Sequence, residues 1–349
     1  MASVFQNPLT IRSEKELDAV LARPYPELVE FMKKLDGDIA ILGIAGKMGI
    51  TLGMLAINAI RQAGVTKKVY GVSRFSDPAA LRQLEKAGII PLRCDLLDRE
   101  SVAGLPTVPN VIYMAGRKFG TAGEEDLTWA MNVLAPANVA EVFRESRIVA
   151  FSTGCVYPLR TEYQGGCTEE VSPDPIGEYA QSCLGRERVF GYYSRRYGTP
   201  VCLLRLNYAL DLRYGVLHDI AQTVWQGGDI NLNVLWFNGI WQGDANNQTL
   251  LALDHCGTPP TIINQTGPET INVSSMADQF AQLLDKPLYY DADPPGQLAY
   301  LNDASHSHRL FGKPRVDLET VVKWTADWIR RGGRSLGKPT HFEVSSGAF

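Results

Sequence analysis

The chain reads as an α/β protein built on a doubly wound parallel sheet, and three observations carry that reading. Short apolar runs alternate with amphipathic helical patterns from Asp38 to Leu206, the order that yields parallel strands covered on both faces. The first strand-to-helix joint, Ile41-Leu-Gly-Ile-Ala-Gly-Lys-Met-Gly-Ile50, carries Gly43, Gly46 and Gly49 at three-residue spacing. Polar or small residues collect where the strands should end: Ser73-Arg74, Asp95, Ala115-Gly116 and Thr153. Ligands of doubly wound sheets sit at those carboxyl ends.

Residues 1–36 precede the first strand and are expected to form a helical extension. Ser13 with Glu16 makes a capping box before Leu17, Val20 and Leu21. A second short helix is expected from Pro26, with Leu28, Val29, Phe31, Met32 and Leu35 as its apolar positions. Residues 37–210 are expected to form a Rossmann-type dinucleotide-binding domain. In it, Asp38–Leu42, Lys68–Phe75, Ile89–Asp95, Asn110–Gly116, Ile148–Thr153 and Pro200–Leu206 read as strands. Helices are expected over Ile50–Ala63, Asp77–Ala87 and Leu127–Arg144, and from Glu178. Residues 211–349 are expected to form mainly a smaller α/β substrate-binding part. There Asp244 reads as the cap of a helix reaching His255, and Thr261–Asn264 as a strand. Ser275–Leu284 and Leu318–Arg331 read as helices, the latter with Trp324 and Trp328 facing the core. The Gly/Ser-rich tail 332–349 is expected to lie loosely on the surface.

The chain has 349 residues, of which 45% are hydrophobic and 21% charged, enough for a sizeable core. Its net charge of −4 and lack of basic runs exclude an electrostatic nucleic-acid binder. No apolar run has the length of a membrane span, and Met1-Ala-Ser-Val-Phe-Gln-Asn-Pro8 lacks a signal-peptide layout. The six cysteines form no Cys-x-x-Cys pair and read as reduced thiols of a cytoplasmic protein. His306 and His308 are expected in a loop, and without a third ligand no metal site is expected.

Gly43, Gly46 and Gly49, with Lys47 and Met48 between them, read as a phosphate site. A tight turn there brings unpaired helix N–H groups and the positive helix end toward a diphosphate. Lys47 either meets that phosphate or points to water. At the end of the second strand, Ser73 and Arg74 stand where a carboxylate would select NAD. A guanidinium suits the additional phosphate of NADP, so NADP(H) is favoured over NAD(H); the alternative is a solvated surface arginine. Asp95, followed by Leu96, either accepts from an adenine amino group or caps the next turn. Met114, Ala115 and Gly116 let a cofactor pass close to the fourth strand. Asn132, polar on an otherwise apolar helix, would bridge backbone groups near the site.

Two further segments, Phe151-Ser-Thr-Gly-Cys-Val-Tyr157 and Gly177-Glu-Tyr-Ala-Gln-Ser-Cys183, complete a pattern. With Arg205-Leu-Asn207, Asn264 and Thr266-Gly-Pro-Glu269, the chain resembles the extended short-chain dehydrogenase/reductases, specifically the NAD-dependent epimerase/dehydratase family, over roughly residues 38–331. The resemblance implies hydride transfer at a sugar, nucleotide-sugar or sugar-acid carbinol. Thr153 would bond the substrate oxygen and Tyr179 would shuttle the proton. It also implies a homodimer packed through the helix that carries Tyr179. A simple sugar dehydrogenase or reductase and a catalytically impaired dinucleotide-binding scaffold are the alternatives. Leu159–Gly177 and Asp211–Gln242 are expected to set specificity.

One departure stands out. Four residues after the tyrosine the family has a lysine that lowers the tyrosine pKa, whereas this chain has Cys183. A cation about 4 Å from a phenol is worth roughly 4 kcal/mol at an effective dielectric of about 20. Cys183 is then a tolerated small residue, a catalytic thiol, or a sign of lost chemistry. Arg117, Lys118 and Arg186 are the candidate substitutes for the missing charge.

Overall fold

The computed structural model describes residues 7–120 and 123–347; the N-terminal segment 1–6, part of the octapeptide read above, lies outside them. Strands β1 (Ile39–Leu42), β2 (Val69–Ser73), β3 (Ile90–Arg93), β4 (Asn110–Tyr113), β5 (Arg147–Thr153) and β6 (Val201–Leu206) form one parallel sheet with the edge strand Thr261–Gln265. The order is β3-β2-β1-β4-β5-β6 and then the edge strand, so the sheet draws its last strand from beyond residue 210. The order in which strands are added reverses between β1 and β4, while all strands stay parallel, and Ile41 pairs with Gly71 on one side and Ile112 on the other. The crevice above that switch point is where a doubly wound sheet receives ligands.

Helices cover both faces. The N-terminal arm forms α1 (Glu14–Leu21) and α2 (Pro26–Lys34). Ser13 Oγ accepts from Glu16 N at 3.2 Å, while the Glu16 carboxylate reaches back to Arg12 N at 2.7 Å. Leu17 and Leu21 are buried in the core of the C-terminal part, and Leu28 and Met32 against β1 and α3 (Gly49–Ala63). This arm is therefore packing. Asp77 caps α4 (Pro78–Ala87) through Ala79 N at 2.8 Å, and Asp98 caps the short α5 (Arg99–Ala103).

The helix expected over Leu127–Arg144 forms, with a π turn inside it. It runs as α6 (Glu125–Trp129), a π turn at Ala130–Leu134, and α7 (Ala135–Val142). Pro136 has no N–H to return to the Asn132 carbonyl, and Ala135 N bonds Ala130 O five residues back. The remaining helices are α8 (Gly177–Tyr197), α9 (Val216–Gln226), α10 (Gln242–Leu251), α11 (Val273–Leu284), α12 (Ser305–Phe311) and α13 (Leu318–Arg330). Trp324 and Trp328 of α13 are buried.

Three expectations are corrected. Asp244 is no helix cap: α10 begins at Gln242, and the buried Asp244 carboxylate accepts from Tyr25 Oη at 2.6 Å and Arg315 N at 2.8 Å. His306 and His308 lie in helix α12, not in a loop. The tail is not loose. Phe342 joins the C-terminal core with its ring 6.4 Å from that of Phe237, and Thr340 is fully enclosed and donates to Asp219 Oδ2 at 2.6 Å.

Among the described residues, no helix is long and apolar enough to cross a membrane, and no group of three or more His, Cys, Asp or Glu could hold a metal ion. All six cysteines are free thiols.

Candidate active site

The glycine turn lies at the switch point. Gly43 has φ +90°, and a Cβ there would stand 2.6 Å from Ala115 N, so only glycine lets the turn nest against the end of β4. At Gly49 a Cβ would meet Ile44 O at 2.3 Å, which sets how closely α3 approaches the strand. No side chain caps α3 at Met48. A turn this tight, leading to an uncapped helix N-terminus, suits a dinucleotide diphosphate.

Lys47 is packed against aromatic rings. Its ammonium lies over the Tyr214 ring at 3.4 Å from the centroid and over Phe119 at 4.8 Å. Burial and the neighbouring Lys118 and Lys338 charges pull its pKa down to about 7.

Ser73 and the exposed Arg74 close β2. Arg93, at the end of β3, donates from its guanidinium to the Arg74 carbonyl at 2.8 Å and so adds a second cation to that corner. Sequence reasoning gave Arg93 no role. Asp95 accepts from Leu97 N at 3.1 Å, the turn-capping alternative, and the buried Leu96 offers its carbonyl to Asn138 Nδ2 at 3.0 Å. Met114 N is held by Leu42 O at 2.9 Å, leading into Ala115 and Gly116.

Asn132, in the π turn, bridges backbone groups as expected. Its amide donates to Arg117 O and Ser182 Oγ, both at 2.9 Å, and its Oδ1 accepts from Arg117 N at 2.9 Å. Arg186 Nη2 donates to the same oxygen at 2.6 Å, and Nη1 donates to Phe151 O at 2.8 Å. One buried cluster thus locks the loop after β4 to α8 and β5.

Thr153 and Tyr179 come together at the ends of β5 and α8, joined by a side-chain hydrogen bond. Thr153 Oγ1 also accepts from Cys155 N at 3.2 Å. Cys183 is fully buried beside Val156, Tyr157 and Cys167, with Tyr179 packed against the same group. Burial pushes the Cys183 thiol up to about 11, so it is protonated at neutral pH. That argues against the catalytic-thiol alternative. Burial, then the Cys183 and Cys155 thiols, raise the Tyr179 pKa well above the ordinary phenol value.

Two contributors carried no sequence signal. Tyr208 follows β6 with φ +44°, a left-handed conformation that a bulky side chain seldom adopts, beside the Tyr179 site. Tyr300 packs with Cys155, Ala180 and Tyr179, and its buried hydroxyl has no protein partner. It belongs to the segment that pairs with the 159–177 loop through Arg160–Ala299 and Cys167–Asn302.

This sheet order, with a glycine turn at the switch point and a threonine–tyrosine pair across from it, is the arrangement that the resemblance to the extended short-chain dehydrogenase/reductases implies. Residues 39–209 match the model of the NAD dependent epimerase/dehydratase family. No curated protein matches in sequence.

Solved structures match in fold. UDP-glucose 4-epimerase from Thermotoga maritima, with UDP-glucose, superposes with a TM-score of 0.70 at 17% identity, covering 84% of this chain and 99% of its own. UDP-glucose 4-epimerase from Thermus thermophilus, in complex with NAD, gives 0.68 at 20% identity, covering 84% and 99%. The dTDP-glucose 4,6-dehydratase from Streptomyces venezuelae, with NAD bound, gives 0.71 at 18% identity, covering 84% and 97%.

Proposed function

We propose that the protein is an NAD(P)-dependent oxidoreductase of the epimerase/dehydratase kind, acting on a carbinol of a sugar, nucleotide sugar or sugar acid. The observation that carries this reading is the hydrogen-bonded Thr153–Tyr179 pair, set beside the glycine turn at the carboxyl ends of the sheet. Gly43, Gly46, Met48 and Gly49 would hold the diphosphate, Asp95 and Leu96 the adenine, and Met114, Ala115 and Gly116 the passage to the reacting end. A bound nicotinamide would supply the hydride acceptor and donor. Thr153 would donate to the substrate oxygen, and Tyr179 would take the hydroxyl proton and return it.

The Arg74–Arg93 corner favours NADP(H) over NAD(H), because two guanidinium groups at the strand ends suit a phosphate better than bare ribose hydroxyls. A cytoplasmic homodimer with a dinucleotide domain over residues 37–210 completes the proposal. The surface built by α6, the π turn and α8 supports the dimer, since Leu127, Trp129, Leu134, Tyr192 and Tyr197 are all exposed there. Cys183 at the usual lysine position favours a second reading, a nucleotide-binding scaffold without turnover.

Titration with NADPH and NADH, followed by nicotinamide fluorescence, tests the cofactor; tighter NADPH binding that is lost in Arg74→Ala is the expected result. Equal or tighter NADH binding removes the role given to Arg74. A sugar and nucleotide-sugar screen in parallel with Tyr179→Phe tests the chemistry: turnover that falls at least a hundredfold in the variant supports the enzyme. Nucleotide binding with no turnover in either protein supports the scaffold.

A further inference from the structure

Three cations near the site were candidates to replace the missing lysine, and their surroundings separate them. Arg117 is turned outward, donating to Gly120 O at 2.5 Å and pairing with Glu124. Arg186 lies on the Tyr179 helix but below the site, spent on Phe151 O and Asn132 Oδ1, with its guanidinium 5.7 Å from the Tyr113 ring centroid. Lys118 is different. Its Nζ stands 5.8 Å from the centroid of the Tyr179 ring and 5.6 Å from that of Tyr208, and 3.5 Å from the Thr340 carbonyl oxygen of the tail. Its charge also acts on the Cys155 and Cys183 thiols that flank Tyr179.

We propose that Lys118 is the positioning cation for Tyr179, delivered from the loop after β4 in place of a lysine one turn along α8. The inference rests on the acid–base role given to Tyr179 above. A neutral phenol and a phenolate differ by one negative charge, and an ammonium near the ring stabilises the charged form. At about 6 Å and an effective dielectric of about 20, a unit charge shifts that equilibrium roughly a hundredfold. The groups facing Tyr179 are Thr153, Cys155, Cys183, Arg186 and Lys118. Of these, Cys155 and Cys183 oppose ionisation; Arg186 favours it, although its guanidinium is also shared with Phe151 O and Asn132 Oδ1. The groups facing Lys118 include Asp219 and Glu343, which favour its charged form against burial. Lys47 stands beside it as a like charge. The assistance to Tyr179 is therefore present while Lys118 is protonated and is lost as pH rises through the lowered Lys118 pKa.

The test is a titration that needs neither substrate nor cofactor. Tyrosines of the full chain are replaced by difluorotyrosine, whose phenol titrates at lower pH. The Tyr179 fluorine resonance is assigned by its loss in Tyr179→Phe. Lys118→Met should raise the apparent proton affinity of this phenol roughly a hundredfold, while Lys118→Arg should keep it close to that of the unmodified chain. A Tyr179 titration unmoved by Lys118→Met overturns the proposal, as does a larger shift from Arg186→Met than from Lys118→Met. Failure of the proposed activity would appear instead in the nucleotide titration and the substrate screen.

Discussion

The Arg205–Glu187 pair offers the sharpest test of how the fold sets the site. Glu187 lies on α8 on the Tyr179 side, Arg205 on β6, and Ser152 on β5 next to Thr153. Arg205 Nε and Nη2 donate to the two Glu187 oxygens at 2.8 and 2.7 Å, and Ser152 Oγ donates to Oε1 at 2.6 Å. Both charged side chains are almost completely buried, 2% and 4% exposed. In Arg205→Met the methylene stem is replaced but Glu187 is left as a buried carboxylate with one hydroxyl partner. Breaking such a pair costs about 3–5 kcal/mol, because the remaining charge is desolvated without compensation. With roughly 2.1 cal/mol/K of unfolding entropy per residue over 349 residues, that predicts a Tm about 4–7 °C lower. The double variant Arg205→Met/Glu187→Leu should recover most of the loss, since it removes the stranded charge as well. The assay is urea unfolding of the two variants alongside the parent chain. A single-variant loss below about 1 kcal/mol, or a double variant no better than the single, would refute the argument that burial makes this pair costly to break.

Two other outcomes are expected. Leu134, 59% exposed on the π turn, should sit inside the proposed dimer interface, so Leu134→Asp should weaken association more than a hundredfold through an unpaired buried charge; an unchanged sedimentation profile would place the interface elsewhere. Lys47 has its pKa lowered from 10.5 to about 7, so the unfolded chain binds the extra proton between those values and stability rises with pH across them. After allowance for solvent screening of this partly exposed group the gain is about 1–2 kcal/mol, and Lys47→Met should flatten the slope in urea unfolding measured from neutral to alkaline pH.

The parts of the fold legible in the sequence were those set by local chemistry. Ser13 and Asp77 cap the helices they announce, because a cap needs only residues within the first turn. The strand–glycine–helix joint could be read because a turn that tight fixes both residue type and spacing, and the threonine and tyrosine segments because they matched a family pattern. Asp244 was misread because its partners, Tyr25 and Arg315, are distant in sequence, and a buried acceptor resembles a cap until they are placed. The tail has no apolar period, yet two long-range anchors order it, Phe342 in the C-terminal core and Thr340 on Asp219. The π turn did have a local cause in Pro136, which a helix-wide apolar count passes over.

The substitution at Cys183 looks severe only if the catalytic charge must come from α8. In this chain position 183 faces a closed apolar group of Val156, Tyr157 and Cys167, where an ammonium would face a desolvation cost of several kcal/mol unless paired. The loop after β4 has a different setting. Asn132 fixes its backbone at Arg117 from both sides, and Arg186 fixes Asn132 in turn. Lys118 is the next residue, and its ammonium meets the Thr340 carbonyl, whose own residue is tied to Asp219 through N–H and hydroxyl at 2.7 and 2.6 Å. The Asp219 and Glu343 carboxylates offset part of the burial that lowers the Lys118 pKa. The arrangement makes the C-terminal tail part of the electrostatics of the site, so a change at Thr340 should act on Tyr179 through Lys118 although it lies far from both in sequence.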